Sequence, residues 1–203
     1  MTRNIIFDLA GVLLNLDIRR DTEALAHIGL PDFANCLSNP SIAIPMTAYL
    51  NGLKGKDDFC RDLRPCCRQG VTDGEILWAM DAVLADIPAS RIEMLLSLRK
   101  KYKVFLLSNI YDRAWEHSVK EITSKGFHVN QCFDRLFLSH EMGLAKPDPL
   151  IYHAVVNDTG INPNETLYLD DTEENVETGR TLGFQSILVP MNNLEQILPG
   201  LSL

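Results

Sequence analysis

The sequence predicts an α/β fold, a doubly wound parallel sheet of five core strands with a helical insertion after the first. Three observations carry that expectation. Short apolar runs recur at residues 4–7, 104–107, 136–138, 166–169 and 186–189, each of strand length. Amphipathic helical stretches separate the last four runs, the alternation expected of parallel strands joined by crossover helices. The long stretch between the first run and the second reads as helical throughout most of its length.

Asn4-Ile5-Ile6-Phe7 leads into Asp8, and Gly11 lets the backbone turn before Val12-Leu13-Leu14. Asp8 is thereby placed at the carboxyl end of a strand, where open α/β sheets hold their ligands. Ile18, Leu25 and Ile28 fall on one helix face that ends near Gly29 and Pro31. Pro40 and Pro45 interrupt the next pattern, so residues 35–55 receive no helix and Tyr49 is expected in a loop facing the site. Thr72 and Glu75 have capping-box spacing ahead of Ile76, Leu77, Met80, Val83 and Leu84 at helical intervals. The insertion is expected over residues 17–87, which leaves 1–16 and 88–203 to the core that carries the sheet.

Ser90 and Glu93 repeat the capping-box spacing before Ile92, Leu95 and Leu96, and Lys100, Lys101 and Lys103 suit that helix's negative end. The second strand ends in Ser108-Asn109, with Trp115, Val119 and Ile122 marking the helix beyond it. Asp148-Pro149 reads as an N-cap followed by proline at the first helical position, with Ile151, Ala154 and Val155 as the buried face. The fourth strand ends in Asp170-Asp171, and Thr172 is expected to cap a helix that stops at Gly183.

Composition narrows the partners. A formal charge of −8 argues against general affinity for nucleic acid or anionic membrane. Five cysteines without C-x-x-C spacing (Cys36, Cys60, Cys66, Cys67, Cys132) suggest neither a zinc cluster nor a disulfide framework. Asp8 interrupts the apolar run after Arg3, and no stretch is long enough to span a membrane, so a cytoplasmic protein is expected. Oligomeric state is not legible. His117, His140 and His153 show no ligand spacing, while Met46, Tyr49, Trp78 and Met80 are candidates for a pocket in the insertion.

Three polar sites can return to the edge that carries Asp8: Ser108-Asn109, Lys146 in Gly143-Leu144-Ala145-Lys146-Pro147, and Asp170-Asp171. A hydroxyl and a backbone N–H group can hold phosphoryl oxygens, and a lysine ahead of a capped helix can serve as a fixed charge. Two carboxylates facing a third would repel unless a cation lay between them, and hard oxygen ligands suit magnesium. These four sites, in this order, resemble the haloacid dehalogenase (HAD) superfamily, over residues 1–16 and 88–203. Phe7-Asp8-Leu9-x-Gly11-Val12 resembles in particular its branch of small-metabolite phosphatases, which includes sugar-1-phosphate phosphatases.

The resemblance implies a Rossmann-like core closed by a helical cap, and a magnesium-dependent phosphatase of a small phosphorylated metabolite. By it, Asp8 is the nucleophile that forms an aspartyl-phosphate, Lys146 offsets charge, and Ser108 and Asn109 bind phosphate. Asp8, the Ala10 backbone carbonyl and Asp171 hold magnesium, Asp170 does so directly or through water, and Asn175 orients that shell. The sequence departs from the family at Ala10, where most such phosphatases carry the aspartate that shuttles protons. General acid–base help contributes about 10²–10⁴-fold, so its loss slows turnover and favours a good leaving group, a hexose 1-phosphate being the first candidate. The alternatives are a phospho-ligand-binding protein disabled by Ala10, and a 2-haloacid dehalogenase. The latter needs no metal and leaves Asp170-Asp171 unexplained.

Overall fold

Strand β1 (Asn4–Phe7) lies at the middle of the sheet in the computed structural model, which describes residues 2–200. The other strands are β2 (Lys103–Ser108), β3 (Arg135–Leu138), β4 (Thr166–Asp170) and β5 (Gln185–Leu188), in the spatial order β3-β2-β1-β4-β5. Every pairing is parallel. β1 is apolar at each of its first-to-last positions except Asn4 because both of its faces are covered, as a central parallel strand requires. Ile5, Phe7, Leu106 and Leu169 enter one buried cluster, while Ile6, Phe105, Leu107 and Tyr168 enter another on the opposite face. The period of two thus builds both cores from the same strands.

Register then decides what meets at the carboxyl edge. Phe7 pairs with Leu106 on one side and Leu169 on the other, so Asp8 emerges next to the end of β2 and beside Asp170. The Asp8 N–H donates to the Leu169 carbonyl at 2.8 Å, which extends the ladder to the carboxylate itself.

Between β1 and β2 the chain forms α1 (Ile18–His27), α2 (Phe33–Leu37), α3 (Pro40–Leu50), α4 (Lys56–Leu63) and α5 (Asp73–Asp81), then α6 (Ala89–Leu98) against the sheet. Leu25 and Ile28 are buried as expected, but Ile18 is half exposed at the start of α1, where no neighbour covers it. Residues 33–50 correct the sequence reading. Pro40 begins α3 under an Asn39 cap instead of breaking it, because a first-turn residue needs no N–H partner. Pro45 is tolerated inside the same helix. The Ser41 carbonyl it leaves without an amide partner is approached by the Cys66 thiol at 3.6 Å.

The Thr72–Glu75 capping box is present. The Ser90–Glu93 box is not, since α6 starts at Ala89 under Pro88 and Ser90 already lies inside its first turn. Arg91, on the buried side of α6, donates to the Leu13 and Asn192 carbonyls and pairs with Glu195, which clamps the loop that follows Asp8.

The remaining elements are α7 (Asp112–Ser124), α8 (Val129–Cys132), α9 (Ser139–Met142), α10 (Pro149–Thr159), α11 (Glu173–Thr181) and α12 (Leu194–Ile197). Asp148 caps α10 as predicted. Thr172 occupies the N-cap position of α11, but its hydroxyl makes no capping bond; it turns instead to Asp171, at 3.4 Å. Among the described residues no helix is long and apolar enough to cross a membrane.

The insertion touches the core through the turn after α3. Gly52 has φ +69°, and a Cβ there would overlap His140 Cβ and lie 2.5 Å from the Ile110 carbonyl oxygen. Gly52→Ala is therefore expected to push that turn off the core and to destabilise the fold by about 1–3 kcal/mol. Thermal unfolding checks it: an unchanged midpoint would mean the turn is free to move.

Candidate active site

Four elements deliver charged groups to one point. Asp8 follows β1, Asp170 ends β4, Asp171 begins the turn into α11, and Lys146 comes from the loop ahead of α10. The three carboxylates each offer an oxygen within 4.8 Å of the others. Lys146 Nζ lies 2.8 Å from Asp8 Oδ1 and 2.6 Å from Asp170 Oδ2, and it also donates to the Leu107 carbonyl at 2.9 Å. Lys146 and Asp170 are fully enclosed, and Asp8 nearly so.

Asp170 is the most fully held of the three. Its Oδ2 accepts from Lys146 and from the Tyr168 hydroxyl at 2.5 Å; its Oδ1 accepts from the Thr172 N–H at 2.9 Å and Asn175 Nδ2 at 3.0 Å. Asn175, one turn into α11, thus reaches one of the carboxylates of the shell it is expected to orient. Tyr168 was missed, although the strand period alone places it on the same face as Asp170. Asp171 is only half buried, and Gly11 makes room for it: a Cβ on Gly11 would overlap Asp171 Oδ2.

Burial would raise the Asp170 carboxyl, but Lys146, Tyr168 and Thr172 hold it below the ordinary range. Burial pushes Asp8 up to about 7, with Asp170 and Asp171 adding to the effect against the pull of Lys146. Burial and Asp170 push Asp171 up to about 6. Burial would lower the Lys146 ammonium, yet Asp170 and Asp8 keep it above its usual value, so it stays charged.

With all three carboxylates ionised around one ammonium, two negative charges are unbalanced in the site, which is the opposition that raises Asp8 and Asp171. The Asp8 oxygen nearest Lys146 lies off the axis of a hydrogen bond and has no other donor. An all-oxygen donor set with a surplus of two charges fits a hard divalent cation, and the Gly11 cradle holds Asp171 open toward it.

Beside this cluster the Ser108 hydroxyl is fully buried and has no hydrogen-bond partner. A buried hydroxyl at a strand end with no partner in the protein is free to donate to a ligand oxygen. The Asn109 side chain is committed elsewhere. It accepts from the Lys146 N–H and donates to the Lys146 carbonyl, both at 2.8 Å, and also reaches Asn51 at 3.2 Å. The amide thus fixes the lysine loop, which leaves only its backbone N–H to face an anion. Ser139, which sequence reading passed over, holds the same turn by bonding both the N–H and the carbonyl of Ile110.

Ala10 opens onto a cavity of about 570 Å³ between core and insertion, shared with Asn109, Tyr111, Met46 and Met80. Two of the four pocket candidates therefore line it. Tyr49 does not: it lies within α3, buried and stacked on Phe59 at 4.2 Å. Trp78 is half exposed against His27 on the outer surface. None of the three histidines joins the cluster. His117 meets the Ala85 carbonyl at 2.6 Å, His140 meets that of Ile110 at 3.2 Å, and His153 is exposed.

Residues 2–183 match the family model described as haloacid dehalogenase-like hydrolase. The chain is 31% identical over 188 residues to the D-ribitol-5-phosphate phosphatase of Bacteroides thetaiotaomicron, covering 92% of this chain and 91% of that protein. Its fold superposes on a HAD family enzyme from Bacteroides thetaiotaomicron with a TM-score of 0.85 at 34% identity, covering 95% of each chain. That enzyme has also been crystallised in complex with magnesium and inorganic phosphate. A predicted HAD-like hydrolase from Porphyromonas gingivalis superposes with a TM-score of 0.85 at 30% identity, over 98% of this chain and 96% of that one.

Proposed function

The chain belongs to the haloacid dehalogenase-like hydrolase family, and from that premise we propose how it acts as a magnesium-dependent phosphatase of a small phosphorylated metabolite. The observation that carries the reading is the meeting of Asp8, Asp170 and Asp171 with Lys146 at one sheet edge. Asp8 attacks phosphorus and takes the phosphoryl group as an aspartyl-phosphate, which water then hydrolyses. Lys146 neutralises charge on Asp8 and on the phosphoryl oxygens, and the Ser108 hydroxyl with the Asn109 N–H donates to those oxygens. Asp8, the Ala10 carbonyl and Asp171 would hold magnesium, while Asp170, already occupied by four donors, orients the lysine and would serve the ion directly or through water. When bound, magnesium offsets the charge that builds on the transferring phosphoryl group. Asn175, Tyr168 and the side-chain amide of Asn109 position these groups without touching substrate. The helices between residues 17 and 87 act as the cap that closes over the edge.

Ala10 sets the leaving group. With no carboxyl there to protonate the departing oxygen, esters of acidic hydroxyls and acyl phosphates turn over best; a sugar 1-phosphate meets that requirement through its anomeric oxygen. Purified protein assayed against a panel of phosphate esters, with and without magnesium, tests the reading. Magnesium-dependent release of phosphate is expected, and total inactivity toward every ester would sink it; binding without turnover would instead mark a phospho-ligand-binding protein. Ala10→Asp is expected to raise turnover on alkyl phosphates by about 10²-fold or more while changing acyl phosphates little. No gain on alkyl esters would mean that proton transfer is already supplied.

A further inference from the structure

The cavity that Ala10 opens onto is built unlike a sugar site. Its walls are mainly aliphatic and aromatic side chains, Leu14, Leu50, Met46, Met80 and Tyr111 among them. Ile18, Phe33 and Met191, which also line it, are large apolar residues left exposed at the surface. Such side chains offer a polyol nothing to replace the water its hydroxyls would lose, and each unmatched hydroxyl costs binding energy.

Polar side chains are few: Thr22 and Asp32 at the exposed rim, Asn109 at the phosphate end, and one that is buried, Asp21. Asp21, on α1, is 6% exposed, lines the cavity and has no hydrogen-bond or ion-pair partner among the described residues. Its oxygens are not sealed off by protein atoms, so the carboxylate is open to a donor entering the cavity. Burial pushes its carboxyl up to about 6, as expected of an acid facing apolar walls with no cation beside it. Ala10 and Asn109, which line the cavity, are the chain neighbours of Leu9 and Ser108 at the same sheet edge, so the cavity lies beside the phosphate end.

We infer that the organic part of the phosphate ester occupies this cavity, that it is largely hydrocarbon, and that the Asp21 carboxylate binds a single hydroxyl or ammonium upon it. The inference rests on the phosphatase reading and deepens it, replacing the sugar of the first candidate with an apolar body. Asp21 is a specificity residue here: it selects the ester by its donor and takes no part in the transfer of the phosphoryl group.

Matched aryl phosphates test this, because their leaving groups are nearly equal and they need little protonation. Para-methylphenyl, para-(hydroxymethyl)phenyl and para-(aminomethyl)phenyl phosphate are compared with glucose 1-phosphate and acetyl phosphate, with magnesium present. The wild-type protein is expected to favour one of the donor-bearing esters over the methyl ester by about tenfold in kcat/KM, mainly through KM. The hydroxymethyl and aminomethyl arms tell hydroxyl from ammonium. Glucose 1-phosphate is expected to show the highest KM of the esters. In Asp21→Asn the ratio between donor-bearing and methyl esters should collapse toward one, a change that general loosening of the fold would not produce. A wild-type ratio near one, a lower KM for the sugar phosphate, or an equal loss on all esters in Asp21→Asn overturns the inference, and the first two need no variant to fold. Turnover of acetyl phosphate keeps the phosphatase reading standing when the ester ranking fails; no turnover of any compound removes both.

Discussion

Asp8→Asn is expected to abolish phosphate-ester turnover, a loss of about 10⁴-fold or more, while making the metal-free protein more resistant to heat. The loss follows from removing the nucleophile. The gain in stability follows from electrostatics: burial and two neighbouring carboxylates oppose a charge on Asp8, and a neutral amide of the same shape relieves that opposition. The sign of the pH dependence is fixed by the same shift. Asp8 lies near 7 when folded against 3.8 as a free side chain, so the folded protein holds this proton more tightly. The metal-free wild-type protein should therefore lose stability as pH rises from about 4 to 7, and Asp8→Asn should show a shallower fall. Phosphate-release kinetics and thermal unfolding in chelator over that pH range check both parts. Residual turnover within tenfold of wild type would remove Asp8 from the nucleophile's role.

Lys146→Met is expected to damage the fold as well as the chemistry. The ammonium is enclosed between Asp8 and Asp170, and removing one partner of a buried ionic group leaves the others uncompensated, at a cost of about 3–5 kcal/mol. Denaturant unfolding should register that loss in the metal-free protein. Magnesium should restore part of it, because a cation that binds only the folded site adds its binding free energy to stability. Turnover should remain low even with magnesium saturating, since no other described cation lies against Asp8. Near wild-type stability in chelator would show that the carboxylates do not depend on the lysine for balance.

These effects converge because unrelated segments share one edge, and much of that was legible in the chain. An apolar run ending in Asp8, another ending in Asp170-Asp171 and the loop lysine ahead of Asp148-Pro149 each announced a position relative to a strand or helix. Capping chemistry was local where it worked, at Thr72 and Asp148, and failed at Ser90 because the helix starts two residues earlier, under Pro88. Proline misled the reading of residues 35–55, since its cost depends on whether the carbonyl it strands finds another donor, and that donor, Cys66, comes from elsewhere in the chain.

The order of apolar and polar residues by itself determined the class of fold and the edge on which the chemistry collects, because strand and helix periods and their turns are local properties. Only the tertiary structure decided what each polar group does there. It committed the Asn109 amide to the lysine loop, brought the Tyr168 hydroxyl onto Asp170, buried Tyr49 against Phe59 and set an unpaired Asp21 in a mainly apolar cavity. Hydrogen-bond partners and burial are set by residues distant in sequence, and no local pattern encodes them.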